Sequence, residues 1–78
     1  MNPESFAAEV ERIAGVIERY LALHPNASDS LTGITRWWLE GIEPPAPERV
    51  EAALQRLVAR GRLIRTTLAG GSPGYRGS

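Results

Sequence analysis

The side chains best equipped for chemistry in this chain are its arginines, whose flat, forked guanidinium groups hold carboxylates and phosphates through paired donors. All nine basic residues are Arg, and they are matched by nine acids, so the 78 residues carry no formal net charge. Cysteine is absent and His24 is the single histidine, which removes a disulfide framework, a thiol nucleophile and nearly every zinc constellation. His24 stands directly before Pro25, where a cationic ring suits a helix C-terminus, so it reads as a cap and not as a ligand. Ser5, Ser28, Ser30 and Ser72 have no His and Asp placed to activate them, and nucleophilic catalysis has no support. Glu9 and Glu11 fall on different faces of a helix and read as solvation, not as an acid–base pair. The run Gly70-Gly71-Ser72-Pro73-Gly74 lacks the lysine and the following helix of a phosphate-binding loop, and reads as a turn. The expectation is no catalysis, no metal, no cofactor and no small-molecule substrate.

The elements that must position the arginines are legible from periodicity. Phe6, Val10, Ile13, Ile17 and Tyr20 or Leu21 step by three and four, which predicts a first helix over residues 4–23. Ser5 or Asn2 is its expected cap, with Pro3 and Glu4 in the first turn. Pro25 disfavours helix in the residue before it, and residues 25–29 read as a loop. A second, shorter helix is expected over 31–39, capped by Ser30 or Asp29, with Leu31, Ile34 and Trp38 on one stripe. Gly33 inside it costs about 1 kcal/mol relative to Ala and is read as allowing close packing on the first helix. Residues 40–46 contain Gly41, Pro44 and Pro45 and form a connection. Pro47 and Glu48 then suit the first turn of a third helix over 47–60, whose apolar stripe is Val50, Leu54, Leu57 and Val58. Gly61 takes the left-handed position that ends it. From Arg62 the period changes to that of strand, and residues 62–76 are expected to form a hairpin whose second strand is brief or frayed. No repeat or separate linker interrupts the chain, so residues 1–78 read as one domain of mainly helical class.

Residues 50–63, in which a helical apolar stripe runs through Gly61 into Arg62 and Leu63, resemble the third helix and wing start of a winged helix-turn-helix domain. Gly74, Tyr75 and Arg76 are similar to the returning wing strand. The resemblance implies three helices closed by a C-terminal β-hairpin wing. It also implies a DNA-binding regulator, with Arg49, Gln55 and Arg56 on the third helix facing a major groove and Arg60, Arg62, Arg65 and Arg76 meeting phosphates. The charges argue the other way. Glu48 and Glu51 stand at the leading end of that helix, where they repel a phosphate lattice, and the chain as a whole is neutral.

Trp37 and Trp38 are adjacent, so on a helix they point about 100° apart and cannot both sit in one small core. Trp38 shares the stripe of Leu31 and Ile34 and is assigned inside. Trp37 is assigned outside, beside Gly41, Ile42 and Pro45, where an exposed indole is the kind of anchor that protein interfaces use. The favoured function is therefore a protein-interaction module, an adaptor or small subunit docking on another protein or a second copy of itself, with double-stranded DNA as the alternative ligand. No apolar run approaches the roughly 20 residues of a membrane span, and the basic start of a signal peptide is missing, so a cytoplasmic location is expected.

Overall fold

A computed structural model describes residues 3–39, 41–43 and 45–78, with side chains from Phe6 onward. Helix α1, Pro3–Leu23, presents Val10, Ile13, Ala14 and Ile17 to the core, the three-and-four spacing of its sequence. The proposed caps Asn2 and Ser5 lie outside the described residues and side chains. The chain turns at His24, whose amide bonds the Tyr20 carbonyl at 2.9 Å, and then enters strand β1, Ser28–Asp29. The loop expected over residues 25–29 thus ends as a strand. Two residues carry no periodic signal, and it is pairing with the distant chain end that makes them extended.

Helix α2, Leu31–Gly33, is capped by the Ser30 hydroxyl, which accepts from the Gly33 amide at 3.2 Å. It continues without a break into a wide turn of π-helix over Ile34–Trp38, closed by a bond from the Leu39 amide to the Ile34 carbonyl at 3.2 Å. The widening has a packing consequence. In an α-helix, Leu39 would lie about 140° round from Ile34. An i→i+5 turn brings it back, and Ile34, Trp38 and Leu39 are all buried. The Trp38 ring stacks on Tyr20 at 4.9 Å and 13°, and Tyr20 in turn meets the His24 ring at 4.3 Å, seating this turn on the C-terminal end of α1. Gly33 is needed for a different contact from the one expected. A Cβ there would come within 1.9 Å of the Asp29 carboxylate, so the glycine accommodates β1, not α1.

Helix α3, Pro47–Ala59, starts with Pro47 in its first turn and buries Val50, Ala53, Leu54 and Leu57. Val58 is 36 % exposed and does not belong to the stripe, because the buried set already closes at Leu57 and position 58 turns toward solvent. The helix ends in a Schellman arrangement: the Arg62 amide reaches the Leu57 carbonyl at 2.8 Å and the Gly61 amide reaches Val58 at 3.0 Å. Gly61 adopts φ +75°, a conformation that side chains with a Cβ enter at a cost.

Strands β2, Leu63–Thr67, and β3, Pro73–Gly77, form the hairpin, so the second strand is as long as the first and not frayed. They pair antiparallel from Leu63↔Gly77 to Thr67↔Pro73, and a single turn of 3₁₀ helix at Ala69–Gly71 joins them. β1 pairs antiparallel with β3 through Ser28↔Arg76 and Asp29↔Tyr75, giving a three-stranded sheet in the order β1-β3-β2. Leu63 and Tyr75 on the inner face close the side of the helical core that three narrow apolar stripes leave open. The architecture is therefore three helical segments packed on one antiparallel sheet, mainly helical. Among the described residues, no helix is long and apolar enough to cross a membrane.

Candidate functional site

The arginines of α3 point at α1. Arg49 donates to the Glu9 carboxylate, and its guanidinium lies 5.2 Å from the centre of the Phe6 ring. Arg56 and Arg60 converge on one oxygen of Glu11, each at 2.7 Å. Beyond the helix, Arg62 approaches Glu18 at 4.0 Å. Positions 49, 56 and 60 are seven and four apart and so share one side of α3, and their acids rise in the same order along α1. The Arg60 hydrogen bond and then that of Arg56 hold the Glu11 carboxyl below its ordinary range, and the Glu11 hydrogen bond raises Arg60 in return. Glu11 and both of its arginines keep roughly two-fifths or more of their side-chain surface in solvent, so these bonds position the groups more than they stabilise the fold. Arg56 does not pair with Glu51 on its own helix. Arg56 turns to α1, because the rotation that buries Leu54 and Leu57 aims it there.

That rotation also decides what α3 shows to solvent. Its exposed ridge carries Glu48, Glu51, Gln55, Val58 and Ala59: two acids, one amide and two small apolar residues. Of the third-helix residues proposed to read DNA, Gln55 is exposed, while Arg49 and Arg56 are half-buried and engaged by carboxylates. Arg65 and Arg76 stand exposed in the sheet, and among the described residues neither forms an ion pair. A cleft of about 450 Å³ bordered by Arg65, Thr66, Thr67, Gly71 and Pro73 lies along the hairpin.

The tryptophans separate. Trp38 keeps 3 % of its surface accessible and Trp37 keeps 63 %. Gly41 is exposed, whereas Ile42 and Pro45 are half-buried and Ile42 packs against the core, which leaves Trp37 the dominant exposed side chain of the four proposed for protein docking. Among the described residues, Leu23, at the end of α1, is the other large apolar side chain that is mostly exposed. The sequence gives no sign of the α1–α3 carboxylate bridges, because they depend on how two helices are rotated against each other. In comparisons with known proteins, no family model, no curated protein and no solved structure matches this chain.

Proposed function

We propose that this chain is a non-catalytic winged-helix module that binds another protein, with Trp37 as its anchor. The element order helix, strand, helix, helix, strand, strand and the sheet order β1-β3-β2 support the winged-helix reading. The observation that carries the protein-binding reading is the pairing of Arg49, Arg56 and Arg60 with Glu9 and Glu11. It spends the cations of α3 inside the molecule and leaves an acidic ridge where a recognition helix would meet phosphates. Trp37 supplies what a protein partner needs instead, a large rigid side chain that loses little conformational entropy when covered.

Affinity capture of a partner from the native source, with wild type and Trp37→Ala side by side, tests this. The partner recovered with wild type is lost with Trp37→Ala while the far-ultraviolet spectrum stays unchanged. Equal recovery with both proteins contradicts the Trp37 assignment. A DNA-binding reading is favoured by one observation only, the unpaired exposed Arg65 and Arg76 of the wing. It requires the wing to supply affinity that α3 opposes, and Arg65→Ala with Arg76→Ala would then abolish duplex binding and its salt dependence.

A further inference from the structure

β2 is an edge strand, and its free side is chemically set up to receive another strand. The bonds from the Ser78 amide to the Arg62 carbonyl at 3.2 Å and from the Leu68 amide to the Ser72 carbonyl at 2.7 Å fix the phase of the hairpin ladder. Residues 62, 64, 66 and 68 face β3, so by alternation the backbone groups of Leu63, Arg65 and Thr67 point outward. Leu63 is buried, but Arg65 and Thr67 are exposed, and among the described residues no backbone partner meets them. The far side of β3 is already taken: β1 pairs with its Arg76 and Tyr75, and Pro73 has no N–H to offer. No such block exists on β2.

Charge selects the occupant. After Glu51 the chain has no acidic side chain, and Arg65 itself carries one pair of the open groups. A second copy pairing through β2 about this point would bring Arg65 near its own equivalent, and like charges across a ladder destabilise it. An acidic strand would instead place a carboxylate opposite Arg65 on the same face, beside the cleft that Arg65, Thr67 and Pro73 border. We propose that the free edge of β2 takes an extended acidic segment of a partner protein as a fourth strand, with Arg65 pairing one of its carboxylates. This rests on the protein-binding reading for the class of partner, but it uses a surface other than Trp37 and survives if Trp37 anchors nothing.

The test is an amide titration by nuclear magnetic resonance of the full chain with a capped octapeptide alternating glutamate and valine. A lysine–valine octapeptide and a random-sequence duplex DNA serve as the other probes. The Arg65 and Thr67 amides should shift and gain protection from exchange with the glutamate peptide. Thr67→Pro removes an outward N–H that the hairpin does not use and should abolish the effect. Arg65→Glu should weaken the glutamate peptide by about fivefold, the scale of a cross-strand charge pair, and favour the lysine peptide. Trp37→Ala should leave the titration unchanged, so a failed Trp37 anchor and a failed edge remain distinguishable. The proposal is overturned if the Arg65 and Thr67 amides are already as protected as those of Ile64 and Thr66 in the free protein. It is equally overturned if the two peptides act alike, or if duplex DNA moves these amides more strongly than the glutamate peptide.

Discussion

Two adjacent tryptophans give the most discriminating stability test. Trp38→Ala removes an indole that is 3 % exposed and stacked on Tyr20 at 4.9 Å, and it leaves a cavity among Ile34, Leu39 and the α1 stripe. Substitutions of that kind cost about 3–5 kcal/mol. A domain of this length has about 4–12 kcal/mol in total at roughly 0.05–0.15 kcal/mol per residue. Trp38→Ala should therefore remove at least about a quarter of the stability and shift the urea midpoint far below that of wild type. Trp37→Ala removes a side chain that is 63 % exposed, for which a change within about 0.5 kcal/mol is expected. Urea unfolding followed by far-ultraviolet circular dichroism reads both. The fluorescence of Trp38→Ala, which reports Trp37 alone, should be readily quenched by a water-soluble quencher under conditions where the chain remains folded. A loss above about 2 kcal/mol for Trp37→Ala would place that indole in the core and refute its availability to a partner.

Gly61 has open space around its Cα and φ +75°, so Gly61→Ala tests conformation without contact: a loss of about 1–2 kcal/mol is expected, and Gly61→Asn should recover part of it, measured by urea unfolding. No loss would mean that the α3 terminus relaxes freely. For Glu11, the folded carboxyl lies below its unfolded value, so its contribution is complete above the unfolded pKa and disappears as pH falls through the folded one. The stability difference between wild type and Glu11→Gln should accordingly be largest near neutrality and close below about pH 4, and added salt should shrink it. A difference independent of pH would contradict the bridge to Arg60 and Arg56.

What the chain of letters reveals follows from the range of the forces involved. The α1 stripe, the Pro47 start and the Gly61 stop of α3 obey local rules, and each forms where the spacing predicts. Trp37 and Trp38 separate as adjacency demands. The features that spacing misses are those set at a distance. Ser28 and Asp29 become a strand only because Arg76 and Tyr75 arrive beside them. Leu39 enters the core only because a wide turn replaces an α-turn, and a period of 3.6 cannot foresee that. Glu9, Glu11 and Glu18 look like solvated acids along one helix until α3 is laid against them. The same docking pairs Arg49, Arg56 and Arg60, half of the six arginines that otherwise suggest a phosphate-binding face, with carboxylates, which is why the candidate DNA site reads more strongly from sequence than from the folded surface.

If those carboxylates neutralise the arginines along α3, removing them should uncover phosphate affinity. Fluorescence anisotropy of random duplex DNA is followed against wild type and against the triple variant Glu9→Gln, Glu11→Gln, Glu18→Gln, at low salt and near 0.2 M. Wild type should bind little. In the variant, new, salt-steep binding is expected as Arg56, Arg60 and Arg62 are released, with a slope that grows by about 0.9 for each phosphate contacted. Salt-steep binding by wild type, unchanged in the triple variant, would contradict that neutralisation and return the chain to the DNA-binding reading.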